Sequence, residues 1–366
     1  MTDATRRALV ALGLAGAGSA WLRQDRGADA GPVRSGAAVT ADGTVELPGL
    51  VDLQVNGFAG VDFADPGLVP ERVQHAVEAI AKTGVTRFLP TLVSSPFETF
   101  AACARTIARV NDPAIAGIHM EGPYLSPEDG YRGAHPRAFV RQPDVDDFAR
   151  RQDAAQGRIR LLTLAPELPG ALGVIEHAVA RGVRVAIGHT AASGEQLREA
   201  VKAGATLSTH LGNGCPASLP RHPNVIWEQL AEDGLLASFI VDGHHLPPAT
   251  VKAMLRAKTK ERSLLVTDAI AAAGMPPGRY TLGGQQVELA ASGRVAAPGA
   301  TNLAGSALSL VVAVGTGVRF TGLGLDEVVP MASTRPARYL GIETAGTLTA
   351  EWDAAASRLR VLRVKP

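Results

Sequence analysis

The feature that most constrains this chain is a rhythm. Short runs rich in Val, Ile and Leu alternate with stretches at helical spacing, and the runs begin near residues 50, 86, 114, 159, 183, 205, 235 and 263. Between them, helical spacing covers Pro70 to Thr83, Pro96 to Val110, Gly170 to Ala180, Ser193 to Ala203, Asn224 to Glu232 and Pro247 to Ala257. Eight strands alternating with helices, with no run suggesting an antiparallel core, predict a (β/α)8 barrel of the TIM type over residues 48–344. An open doubly wound sheet is the alternative. Past the eighth strand, Tyr280 to Val295 reads as a hairpin, followed by helices from Ser306 to Val318 and from Leu325 to Leu340. The tail, Gly346-Thr347-Leu348 and Leu359 to Val364, reads as strands expected to pair with the N-terminal segment, so that residues 1–47 and 345–366 build one small β domain.

In such a barrel the carboxyl ends of all strands share one rim, and that is where chemistry is built. The strand from Val183 ends at His189 and the strand from Ala205 ends at His210, with one helix between them, so both imidazoles face the same mouth. The third strand finishes at Glu121 and the eighth at Asp268. Taken singly, each has a plain structural reading: a hydrogen-bonded rim histidine, a carboxylate paired with arginine, a helix N-cap. Together, one carboxylate and two imidazoles are three ligands for a catalytic divalent ion with positions left open, and Asp268 can lie across the rim as a base. This donor set suits Fe²⁺, Mn²⁺ and Co²⁺ as well as Zn²⁺, which is the expected ion. The first strand turns Asp52, Gln54 and Asn56 to one face, and polar groups at a strand end are further material for a site.

Composition narrows the classes. With 366 residues and 46% apolar content the chain can bury a large core, and 36 Lys and Arg against 35 Asp and Glu argue against an extended nucleic-acid surface. Cys103 and Cys215 alone make neither a disulfide framework nor a cysteine metal site, and a reducing compartment is the simpler reading. No apolar run approaches the ~18 to 20 residues that span a bilayer, so no membrane is expected. Arg6-Arg7 followed by Ala8 to Ala20 has the layout of an export signal, while Ala8 to Leu14 alternatively reads as a strand; the expected location is the cytoplasm.

Several segments carry a resemblance. Pro48 to Asp52, His119-Met120-Glu121-Gly122-Pro123-Tyr124-Leu125, Gly133-Ala134-His135-Pro136, Gly188-His189-Thr190, Thr209 to Asn213, Asp242-Gly243-His244-His245 and Val266 to Ala269 are similar, in order and spacing, to the N-acetylglucosamine-6-phosphate deacetylases of the amidohydrolase superfamily. The resemblance implies metal-dependent hydrolysis of the acetamide of N-acetyl-D-glucosamine 6-phosphate, with Glu121, His189 and His210 on the metal and Asp268 as proton acceptor and donor. It further implies that Ala134 and His135 lie on the substrate, with His135 near the acetamide, and that Arg221 and His245 meet the sugar phosphate. Asn213, Gly214, Leu303, Ala304 and Gly305 are implied as further substrate contacts, and a homodimer is implied in which Arg221 and His245 could serve the neighbouring subunit.

Two departures matter. Many superfamily members carry His-x-His where this chain has Gln54-Val55-Asn56, so one metal ion is expected rather than two. Asn213-Gly214-Cys215 replaces the family's usual Asn-Ala-Met, which alters the fit around the sugar. Other readings are a deacetylase of N-acetylgalactosamine 6-phosphate or of an N-acyl amino acid, and a catalytically silent barrel acting as a binding protein.

Overall fold

The computed structural model describes residues 39–40, 42–282, 285–300 and 303–366. The export-signal and strand readings of Ala8 to Ala20 therefore lie outside the described residues.

An eight-stranded parallel sheet forms from Leu50–Val55, Val85–Leu92, Ile118–Glu121, Ile159–Leu164, Arg184–Ile187, Ala205–Ser208, Leu236–Phe239 and Ser263–Leu265, each strand paired with the next in sequence. The ring nearly closes just beyond the eighth strand. There the amide of Asp268 donates to the carbonyl of Gln54 at 3.0 Å, the amide of Asn56 to Ala269 at 2.8 Å, and the Thr267 hydroxyl to Asp52 Oδ2 at 2.7 Å. All six residues of the first strand are buried. In a barrel that means two different interiors: Asp52 and Gln54 make their hydrogen bonds inside the ring, and the alternate Val51, Leu53 and Val55 belong to the hydrophobic core.

Helices clothe the ring because each lays an apolar stripe on the strands. Gly194–Ala203, which separates the two histidine-ended strands, shows the local logic. Ser193 and Gln196 form a reciprocal capping box at its start, and Gly204, at φ +115°, ends it. One helix, Val145–Ala154, goes beyond the sequence reading: Asp144 caps it by accepting from the amide of Asp147, while its many charged residues hide the apolar spacing. The expected single helix from Leu325 to Leu340 is instead Leu325–Val328, a 3₁₀ turn over Val329–Ala332, and Thr334–Leu340. Pro330 lacks the amide an α-helix would need at that point, so the chain turns there.

The expected hairpin is part of a four-stranded antiparallel sheet, Gly278–Leu282, Gln285–Leu289, Arg294–Ala296 and Leu303–Ser306. Its last strand is stitched to the barrel mouth, since the amide of Ile270 donates to the carbonyl of Ser306 at 2.9 Å. At the other side Thr44–Pro48 pairs with Thr347–Asp353, which pairs with Arg358–Lys365, so strands from both ends of the described chain make one antiparallel sheet. Among the described residues no helix is long and apolar enough to cross a membrane.

Candidate metal centre and substrate cleft

Glu121, His189 and His210 meet at the carboxyl rim, each offering one ligand atom, and these atoms all lie within 4.8 Å of one another. Strand geometry delivers Glu121 directly, as the last residue of the third strand. The other groups need a turn. His189, His210 and Asp268 stand just past their strands at φ +51°, +30° and +50°, a left-handed backbone that non-glycine residues adopt at a cost of about 1–3 kcal/mol each. Three such residues in one mouth, all at the ends of barrel strands, mark the place where the fold spends stability on position.

Glu121 Oε1 lies 3.0 Å from His210 Nε2 and 3.4 Å from His189 Nε2. Tautomers explain why this arrangement fits a cation. The carbonyl of Tyr131 sits 3.0 Å from His189 Nδ1 and can only accept, so Nδ1 carries a hydrogen, which leaves the lone pair of Nε2, on the side of the carboxylate, as the ring's ligand position. Two lone-pair atoms face to face require a proton or a metal ion between them. Burial opposes the charge on Glu121, yet the imidazoles of His189 and His210 beside it hold its carboxyl well below the usual range. His210 is buried too, but Glu121 draws its pKa upward, and among the described residues His210 Nδ1 has no hydrogen-bond partner. The donor set therefore fits a divalent ion: one anionic oxygen, two imidazole nitrogens, and no competing arginine or lysine in the hydrogen bonds described to Glu121.

Asp268 joins this group through amides. Gln54 Nε2 donates to Glu121 Oε1 and to Asp268 Oδ1, both at 2.9 Å, and Asn56 Nδ2 donates to Asp268 Oδ1 at 2.6 Å. Burial, and next the charge of Glu121, raise the pKa of Asp268. Gln54 and Asn56 are thus occupied as donors to the carboxylates.

A cleft of about 700 Å³ opens above these residues. Ala134, His135, Asn213, Gly214, His245, Leu303, Ala304 and Gly305 all line it, together with Asn56, Glu121, His189, His210 and Asp268. His135 is buried and its pKa is pushed down to about 3, by burial first and then by His189, so its ring is neutral. The amide of Ser94 donates to His135 Nδ1 at 3.4 Å, which leaves Nε2 with the hydrogen; Nε2 stands 3.8 Å from Glu121 Oε2. His245 Nδ1 donates to Asp242 Oδ2 at 2.7 Å, which fixes the ring by its other nitrogen. Arg221 is not brought to this cleft: it is exposed in a loop before the helix Val225–Ala231.

Sequence reasoning missed the groups that orient the named ones. Tyr131 acts through its carbonyl, a main-chain contact that leaves no trace in residue type, and Ser94 through its amide and its hydroxyl, which lies 3.0 Å from His135 Nδ1. Glu167, which accepts from the Thr190 hydroxyl at 2.5 Å and from the amide of Ala191 at 2.7 Å, ties down the turn after His189. Asp62, Val93, Cys215 and Val287 also line the cleft. Asp242 was missed as the partner of His245, although an aspartate three residues before a histidine can reach it in a turn.

The sequence profile described as Amidohydrolase family matches residues 45–359. The chain is 37% identical over 309 residues to an N-acetylgalactosamine-6-phosphate deacetylase of Escherichia coli O157:H7, covering 82% of this chain and 80% of that protein. It is 38% identical over 333 residues to an N-acetylglucosamine-6-phosphate deacetylase of Bos taurus, covering 85% and 78%. A solved structure of a mutant N-acetyl-D-glucosamine-6-phosphate deacetylase of Mycobacterium smegmatis, in complex with N-acetyl-D-glucosamine 6-phosphate, superposes with a TM-score of 0.79 at 32% identity, over 87% of this chain and 85% of that one.

Proposed function

The chain belongs to the amidohydrolase family, and from that premise we propose that it hydrolyses the acetamide of N-acetyl-D-glucosamine 6-phosphate to glucosamine 6-phosphate and acetate, as a step of amino-sugar catabolism. One observation carries the reading: Glu121, His189 and His210 present three ligand atoms within 4.8 Å, and Gln54 links that group to Asp268. Glu121, His189 and His210 hold one divalent ion, Zn²⁺ by preference.

When bound, such an ion would supply Lewis acidity, polarising the amide carbonyl and lowering the pKa of the attacking water toward neutrality. Asp268 takes the proton of the attacking water and later delivers it to the nitrogen of the departing amine, a poor leaving group unless protonated. Gln54 and Asn56 aim the Asp268 carboxylate throughout, since both donate to Oδ1. His135, neutral and with its hydrogen on Nε2, donates to the carbonyl oxygen as charge develops there. Its neutrality matters, because a ring already charged would add positive charge beside the ligands. His245, held by Asp242, contributes to the phosphate site.

The reading extends to the assembly. Arg221 is exposed and does not line its own cleft, which supports a homodimer in which it reaches the partner's sugar phosphate with bidentate guanidinium geometry. A cytoplasmic location follows from the substrate, since sugar phosphates are cytoplasmic metabolites. The catalytic unit in this reading is the barrel over residues 48–344, braced by strands from both chain ends.

A second substrate, N-acetylgalactosamine 6-phosphate, is favoured by the 37% identity to an N-acetylgalactosamine-6-phosphate deacetylase. The two sugars differ only in the configuration at the fourth carbon. Acetate release from both epimers, each with and without the 6-phosphate, tests the proposal. Turnover of the phosphorylated glucose epimer, with loss of most kcat/KM when phosphate is removed, is the expected result. Higher kcat/KM for the galactose epimer would move the assignment to that substrate, and no release from either would remove it.

A further inference from the structure

One ionisable group in the cleft is used neither by the metal centre nor by the phosphate site. Asp62 lines the cleft from a short hairpin, Gly57–Phe58 with Val61–Asp62, that follows directly on Asn56. The hairpin is held firmly against the segment after Asp268: the amide of Ala59 donates to Ala273 at 2.7 Å and that of Gly60 to Ala271 at 2.7 Å. A side chain at Gly57 would meet the backbone of both Val61 and Ala271, so this turn has one packing and Asp62 one place.

Within it the carboxylate is half used. Asp62 Oδ1 accepts from the amide of Ala64 at 2.8 Å, and among the described residues no donor is hydrogen-bonded to Oδ2. The nearby cation is taken up elsewhere, since Arg72 bonds Asp65 at 2.6 Å and the carbonyl of Gly60 at 3.2 Å. An oxygen of a half-buried carboxylate that opens on a cleft without a partner calls for a donor from the ligand. It would repel a phosphate.

We infer that Asp62 is a specificity-determining residue that accepts a hydrogen bond from a sugar hydroxyl next to the acetamide-bearing carbon, at C1 or C3. The inference rests on the deacetylase reading above. Placement selects these hydroxyls: Asp62 belongs to the hairpin rooted at Asn56, and Asn56 bonds the proposed base, so its wall of the cleft borders the reacting end of the substrate. The C4 hydroxyl and the phosphate lie toward the other end of the ring. An acceptor here also distinguishes a sugar from an N-acyl amino acid, which brings a carboxylate to the same neighbourhood.

The test uses the full-length, metal-loaded protein and four substrates: N-acetylglucosamine 6-phosphate and its 1-deoxy, 3-deoxy and 4-deoxy counterparts. Asp62→Asn keeps an oxygen for the Ala64 amide and turns a donor toward the cleft; Asp62→Ala removes both oxygens. In the wild type, deleting the C1 or the C3 hydroxyl is expected to lower kcat/KM by about tenfold or more, as for a hydrogen bond to a charged group. In Asp62→Ala the parent substrate should lose a similar factor, and the same deletion should then cost less than about twofold, because the partner is already gone; in Asp62→Asn the amide can still donate to the hydroxyl oxygen, so the penalty should shrink to that of a neutral hydrogen bond. An unchanged hydroxyl penalty in the variants would overturn the assignment even if their activity fell, since Asp62 would then be only structural. A penalty relieved for the 4-deoxy sugar alone would overturn it as well. If the wild type releases acetate from none of the four, the deacetylase reading itself is lost and this inference with it.

Discussion

At the scale of single residues, the chain places ionisable groups where burial and neighbours move their pKa away from the free value. Asp52 is the clearest case outside the metal centre. It sits inside the barrel below Gln54, and burial pushes its pKa up to about 7, outweighing the hydrogen bonds from Thr267 and Gln54 that favour its charged form. The sign of its effect on stability follows. Between about pH 4 and pH 7 the folded chain keeps a proton that the unfolded chain has released, so the contribution of Asp52 to stability falls as pH rises through that window. Asp52→Asn has no such proton. The stability of the variant relative to the wild type should improve across the window, by at most about 4 kcal/mol, and a difference in denaturation midpoints that stays flat with pH would contradict this. The residues most exposed to sequence reasoning were those whose type carries chemistry: Glu121, His189, His210 and Asp268 are brought to one rim, and Gln54 and Asn56 are their hydrogen-bonding neighbours. Ser94, Tyr131 and Thr267, which set tautomers and orientation, were not legible, because which loop backbone or hydroxyl faces a ring is decided by packing.

At the scale of elements, all eight barrel strands were readable because buried parallel strands are continuous apolar runs bounded by turns. The helix Val145–Ala154 was not, since its charged residues outnumber its apolar ones, and the helix expected to end at Leu340 is interrupted at Pro330. The loop between Glu121 and that helix matters most for function. It carries Tyr131, whose carbonyl fixes His189, and Gly133, whose φ is +58°. A Cβ at Gly133 would stand 2.9 Å from His189 Cε1, and one at Gly214, from the opposite loop, 2.7 Å from Nδ1. Two glycines thus clasp one imidazole, and neither position has room for a side chain. Gly133→Ala should displace the ring, so that metal content after dialysis and kcat both fall, by roughly tenfold or more, while the far-UV circular dichroism of the barrel is retained. Full metal occupancy and full turnover in that variant would show that the clasp is dispensable.

At the scale of the whole molecule, a nearly closed ring of strands is what lets side chains from residues 54, 121, 189, 210 and 268 share one small volume. The sheet made from both chain ends and the four-stranded sheet over the mouth are additions to that ring, and the second of them supplies Val287, Leu303, Ala304 and Gly305 to the cleft. Assembly adds a further level. If Arg221 completes a neighbour's cleft, Arg221→Ala should raise KM for the phosphorylated sugar and leave kcat nearly unchanged. Mixing that variant with one lacking Asp268 should then restore part of the activity, because a mixed dimer contains one intact site; no restoration in exchanged dimers would place Arg221 outside the partner's cleft. The account as a whole stands on a single bound ion beside Asp268, and the direct measurement is acetate release from N-acetylglucosamine 6-phosphate as metal-free protein is titrated with Zn²⁺, for the wild type and for Asp268→Asn. Activity rising from near zero to a plateau at about one ion per chain, with the variant binding the same ion yet losing at least about a thousandfold in kcat, is the predicted result. Full activity without added metal in the presence of a chelator, or an Asp268→Asn variant that turns over like the wild type, would contradict it.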